Sequence, residues 1–155
     1  MIRCAKIKGN IKNKIPRLVA RLRKVPQVNA ALLFGSYARG EVKSLSDIDI
    51  AVLLDRRLPK RRYWDYKLKL SGMAMKALGT DELDFVILNE APCDIAFNIL
   101  KEGTICFCRD EEQMGEYREK AVLRYFDTQP IREELRFHAL RRAKTGRFGD
   151  DQEKH

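Results

Sequence analysis

The stretch "LLFGSYARGEVKSLSDIDIAVLL", residues 32–54, holds two apolar runs joined by a polar segment. The first run ends at Gly35-Ser36. The second is entered through Ser46-Asp47-Ile48-Asp49. Continuous apolar character over 28–34 and 48–54 predicts two strands buried on both faces. Two acids one residue apart at the mouth of a buried strand need a reason. Residues i and i+2 of a strand point to the same side, about 6.5–7 Å apart. Carboxylates so placed repel each other, and a divalent cation removes that repulsion. Hard oxygen ligands suit Mg²⁺ or Mn²⁺. A bare D-x-D is more often a surface pair in a turn, so its neighbours decide its meaning.

Gly35-Ser36 supplies the first neighbour. Glycine lets a ligand approach the backbone closely. Ser36 opens a predicted short helix, "SYARG", and can offer its hydroxyl and nearby N–H groups to an anion. Two adjacent strands therefore bring a phosphate cradle to a paired-acid metal site. Arg39, Lys43 and Ser46 lie between them, placed to touch phosphates or to serve only as loop polarity. A third acid would complete the set. "TDELDFVIL" offers Asp81, Glu82 and Asp84. Asp84 is chosen because it directly precedes the apolar part of its strand, as Asp47 and Asp49 do. Three convergent carboxylates can hold two metal ions about 3.5–4 Å apart and support in-line displacement at phosphorus.

Working outward, residues 15–24 read as an amphipathic helix limited by Pro26. Residues 60–78 read as a second helix, with Trp64, Leu68, Met75 and Leu78 on one face and Gly79 as its C-cap. A strand follows at 83–88, a helix at about 92–102 and a strand at 104–108. Residues 111–144 carry a helical pattern interrupted at Pro130. Met114, Tyr117, Ala121 and Tyr125 form one stripe; Ile131, Leu135 and Ala139 form the next. This order describes an α/β (α+β) chain with a helical C-terminal arm. The expected organisation is a core over 1–109, an arm packed on it over 110–145, and a disordered tail over 146–155.

The chain has 155 residues and a net charge of +9. That length suits one domain. The charge favours anionic partners and separates nucleotide, nucleic acid and acidic protein no further. Runs such as "RLVARLRK" and "DRRLPKRR" read best as solvated helix faces. No apolar run nears the ~20 residues that span a bilayer, and the first residues lack a signal-peptide core. The expected location is the cytoplasm, with no membrane partner. The cysteines, Cys4, Cys93, Cys106 and Cys108, lack zinc-ligand spacing and read as reduced thiols, with Cys106 and Cys108 on one face of their strand. Tyr63, Trp64 and Tyr66 read as helix packing, and His138 as a structural or surface residue.

Gly35-Ser36, ten residues, then Asp47-Ile48-Asp49, with Asp84 on a later strand, resembles the GSx₁₀Dx[DE] signature of the DNA polymerase β-like nucleotidyltransferases. The short chain and the segment "LDFVILNEAPCDIAFNILKEG" are similar to the minimal nucleotidyltransferase branch, the MntA-type antitoxins paired with HEPN-domain toxins. The likeness covers about residues 15–127. It implies a mixed β-sheet flanked by helices, ATP as substrate, two Mg²⁺ ions and transfer of a nucleotidyl group to a hydroxyl. For this branch the acceptor is a tyrosine of the toxin, whose ribonuclease activity is thereby blocked. By the resemblance, Gly35 and Ser36 face the triphosphate, with Arg39 and Ser46 beside it. Asp47 and Asp49 bind both metals. Asp84 ligates the catalytic metal and helps deprotonate the acceptor. Two other functions fit less well. One is nucleotidyl transfer to RNA or to a small molecule such as an aminoglycoside, for which the chain has little separate substrate domain. The other is an antitoxin acting by contact alone, against which the complete acid set counts. Direct nucleic-acid binding is not expected, because no RNA-binding aromatic motif is present.

Overall fold

β1 (Val28–Phe34) and β2 (Ile48–Leu54) are apolar but for Asn29 and Asp49, because helices cover both of their faces. The computed structural model describes residues 13–38 and 48–145. The other elements are α1 (Ile15–Arg23), α2 (Gly35–Ala38), α3 (Tyr63–Leu78), β3 (Leu83–Ile87), α4 (Cys93–Glu102), β4 (Thr104–Cys108) and α5 (Glu111–Thr145). Short 3₁₀ turns at Lys60–Arg62 and Leu88–Glu90 lead into α3 and out of β3.

The strands lie in the order β3-β2-β1-β4. β1 pairs antiparallel with β2 and with β4, while β2 and β3 are parallel. The sheet is therefore mixed, and the chain is α+β. On one face, Ala31, Ile50, Val52 and Leu54 pack against Leu18 and Leu22 of α1 and Leu70, Ala74 and Leu78 of α3. On the other, Ala30, Leu32, Ala51 and Leu53 meet Ile99 of α4 and Met114 of α5. Each fully buried aliphatic side chain contributes about 1.5–3 kcal/mol relative to exposure.

Polar side chains fix the sheet's far end, where β2 finishes. Asn89 donates to the Leu54 carbonyl and accepts from the Leu54 N–H at 3.0 and 2.7 Å. Gln113, itself buried, donates to the same carbonyl at 2.9 Å. Gly79 ends α3 in the left-handed region, φ 67°, as its cap position predicts.

Three expectations change. The buried row of α3 is Leu70, Ala74, Ala77 and Leu78, so of the predicted face only Leu78 is inside; Trp64 is 62% exposed. Tyr63 and Tyr66 do pack against the core. The β1–β4 register slips between Ala31 and Leu32, where Ile105 and Phe107 pair and Cys106 is passed over. This breaks the alternation, so Cys106 lines the α1 side while Cys108 packs on the α4–α5 side. Burial pushes both thiols above their usual range.

The third change is at Pro130, where α5 runs through without interruption. Proline removes an N–H donor and crowds the preceding turn. Side chains bond to the neighbouring carbonyls of that turn. Arg132 Nη2 donates to the Tyr125 carbonyl at 2.6 Å, and Thr128 Oγ1 donates to the Arg124 carbonyl at 2.8 Å. The Arg132 guanidinium also lies 4.0 Å from the centre of the Tyr125 ring, which stacks on Phe97 of α4 at 3.9 Å. α5 thus grips α4 just before it leaves the core. Gln113, Met114 and Ala121 are buried; beyond Thr128, every described residue but Gln129 and Arg132 is exposed.

Candidate active site

Asp49 lies two residues before Ala51 on β2, and Asp84 two residues before Val86 on β3. Both therefore belong to the sheet face that α4 and α5 cover farther along. The parallel register pairs Asp49 directly with Asp84. Neighbouring strands lie about 4.8 Å apart, so two acids from distant parts of the chain stand side by side. Of the three acids weighed in the third segment, only Asp84 has this placement. Asp81 sits in the exposed bend before the strand, and Glu82 just ahead of it, where its carbonyl accepts the Ile48 N–H at 3.1 Å. Asp84 is exposed, and Asp49 is partly covered.

Gly35 stands at the end of β1, against Asp49. It has φ 68°, and a Cβ built on it would collide with the Asp49 carboxylate. Glycine is required twice over: for the backbone angle and for the approach of the acid. Ser36 follows in α2, a single turn that begins at Gly35. Phe34, the last residue of β1, pairs with Asp49, which fixes the cradle's height relative to the acids. Asp47, Arg39, Lys43 and Ser46 lie outside the described residues. The structure thus brings together Gly35, Ser36, Asp49 and Asp84. Two carboxylates side by side, with glycine keeping the space beside one of them clear, form a donor set that fits a hard divalent cation.

A comparison with protein families matches residues 17–112 to the family described as "Polymerase beta, Nucleotidyltransferase". The chain belongs to this family. The match covers more than half of the molecule and includes Gly35, Ser36, Asp49 and Asp84. Among curated relatives, the protein adenylyltransferase MntA of Shewanella oneidensis is 34% identical over 91 residues. The alignment spans 59% of this chain and 60% of that protein. Among solved structures, a toxin–antitoxin crystal structure with AMP-PNP has a TM-score of 0.65 at 26% identity. It covers 83% of this chain and 98% of that one. A tri-AMPylated Shewanella oneidensis HEPN toxin in complex with its MNT antitoxin gives 0.58 at 25% identity, covering 84% and 96%. The expected fold and family are thereby borne out, and the chain is a nucleotidyltransferase.

Sequence spacing did not single out a second group, Arg56, Lys120 and Arg124, which meets at the far end of the same sheet face. Lys120 and Arg124 are one helical turn apart, but Arg56 comes from a loop 64 residues earlier. No local pattern connects the three. Among the described residues, no helix is long and apolar enough to cross a membrane.

Proposed function

We propose that this chain transfers AMP from ATP to a tyrosine hydroxyl of a HEPN-domain partner, and so acts as an antitoxin. The observation that carries the reading is the register pairing of Asp49 with Asp84 beside Gly35. The family membership supports the reaction class. The relative named as a protein adenylyltransferase, the neighbour with AMP-PNP and the neighbour with an AMPylated HEPN toxin support the nucleotide and the partner.

In this mechanism Gly35 leaves the backbone uncovered for the triphosphate, and Ser36 donates its hydroxyl to a phosphate oxygen. Asp47, Asp49 and Asp84 would hold two divalent cations, most simply Mg²⁺. Bound there, the cations supply charge neutralisation at the α-phosphate and at the departing pyrophosphate. An Asp84 carboxylate oxygen takes the acceptor's proton. A phenol suits this base, since its pKa of about 10 is well below that of an alcohol. The tyrosine oxygen forms its bond to the α-phosphorus as the bond from that phosphorus to the bridging oxygen breaks, and pyrophosphate leaves. Arg39 and Ser46 complete the phosphate contacts. The product carries a phosphodiester charge that repels RNA from the partner.

The test is to incubate the purified partner with ATP, Mg²⁺ and this chain, and to map adducts by mass spectrometry. AMP increments on a tyrosine are expected, and Asp84→Asn should cut the transfer rate by about 10²–10⁴-fold, the usual contribution of a positioned base. A partner that stays unmodified, yet is neutralised by Asp49→Ala/Asp84→Ala protein, would replace the enzyme with an antitoxin acting by contact alone. Transfer to RNA or an aminoglycoside in place of the partner would move the acceptor class.

A further inference from the structure

A cleft of about 270 Å³ opens where the turn after β3, the start of α4 and the middle of α5 converge. It lies on the same sheet face as Asp49 and Asp84 but at the other end of the strands. Leu88, on its floor, is four residues beyond Asp84, about 13 Å along an extended chain. Three cations line it: Arg56, Lys120 and Arg124. Arg56 is held in place by Glu116 at 2.8 Å and lies 3.8 Å from Asp110. Lys120 and Arg124 make no ion pair or side-chain hydrogen bond among the described residues. Both are exposed, and with Arg56 they converge at the lip of one concave site.

The rest of the cleft narrows the ligand. Its floor is small and apolar, Leu88, Ala91, Ala96 and Ala121, and the Tyr63 ring stands at its side. Tyr117 adds no charge: its hydroxyl donates to the Leu88 carbonyl at 2.7 Å, and burial pushes its pKa up to about 12. With Arg56 engaged by Glu116, the Arg124 guanidinium fork and the Lys120 ammonium still offer more donors than a carboxylate's two oxygens can use, and suit the acceptors of a phosphate. An apolar floor beside them suits a nucleoside. The volume is near the lower end for small-molecule sites, roughly 300–1,000 Å³.

We propose that this cleft is a second, metal-independent site for an adenylyl phosphate, separate from the acid pair. The ligand is either a free nucleotide or a phosphodiester of an adenylate chain already attached to an acceptor. The choice of adenine rests on the transfer reading, but binding without metal is measured apart from transfer, so the two fail separately.

The experiment titrates the full chain by calorimetry in excess chelator, with AMP in one arm and a three-residue oligoadenylate in the other. Binding of either probe without metal is expected. Lys120→Glu/Arg124→Glu should weaken it by about tenfold or more per cation, the worth of a hydrogen bond to a charged group. Equal binding of both probes assigns the cleft to free nucleotide; preference for the oligonucleotide assigns it to the chain. Raised salt should weaken binding in parallel. If the double variant does not fold, Lys120→Gln reads the same loss at smaller size. No binding in chelator, or binding that these variants leave unchanged, overturns the proposal. So does a variant that loses metal-dependent ATP binding, since the cleft would then belong to the catalytic nucleotide's own site.

Discussion

Gly35 and Asp49 constrain each other. A residue at φ 68° whose Cβ would enter a carboxylate has only one candidate side chain, hydrogen. Gly35→Ala should cost about 1–2 kcal/mol from the left-handed backbone alone. The larger effect should fall on chemistry. The methyl group displaces the Asp49 carboxylate, and a shift near 1 Å can cost about 10²-fold in rate. Thermal unfolding and AMP transfer should therefore separate: a folded protein with a modestly lowered midpoint and transfer down by about two orders of magnitude. A folded Gly35→Ala protein with wild-type transfer would remove Asp49 from the site. At this scale the sequence was readable because the demands are chemical. An acid opening a buried strand and a glycine ending another have few uses. The pairing of Asp49 with Asp84 was only half legible, since the start of a strand can be read locally but its register with another strand cannot.

The elements themselves show where reading a chain stops. β1, β2 and β4 have the bounds that their apolar runs predict, because continuous burial leaves a continuous signal. The face of α3 was misread because Trp64, Leu68 and Met75 are large and regularly spaced, yet the space beneath the helix admits Leu70, Ala74 and Ala77. Pro130 is a general signal of interruption, yet α5 runs through it, with Arg132 and Thr128 bonded to the Tyr125 and Arg124 carbonyls of the preceding turn. Past that point α5 continues for 15 residues, about 22 Å. Ile131, Leu135, Phe137 and Leu140 are each more than half exposed, and Arg136, Arg141 and Arg142 stand among them. We expect this segment to dock on the HEPN-type partner. Deleting residues 129–155 should lower the unfolding midpoint only by a few degrees, roughly the loss of the Arg132 contacts at about 1 kcal/mol. The same deletion should weaken the complex at least tenfold, as loss of apolar anchors does. Undiminished co-elution with the partner on gel filtration would take the segment out of the interface.

Across the whole molecule, one sheet face carries acids at one end and a group of cations at the other. The net charge of +9 reports neither. A summed charge cannot show that Asp49 and Asp84 make a local acidic site, nor that Lys120 and Arg124 share a cleft; both follow from the β3-β2-β1-β4 order and from α5 lying across it. This division predicts two separable modes of nucleotide binding. Without Mg²⁺, the acid end places carboxylates where a triphosphate must lie, and like charges brought together cost several kcal/mol. Mg²⁺ should therefore raise ATP affinity at that end by about tenfold or more. The gain should vanish in Asp49→Asn, which removes a ligand with little change of volume, and persist in Lys120→Glu/Arg124→Glu, which leaves the acids untouched. Calorimetric titration of ATP with Mg²⁺ and with chelator, in all three proteins, reads both effects. If the wild-type chain binds ATP equally well with Mg²⁺ and with chelator, the acids do not hold the metal for the nucleotide, and the two-metal reading of Asp47, Asp49 and Asp84 fails.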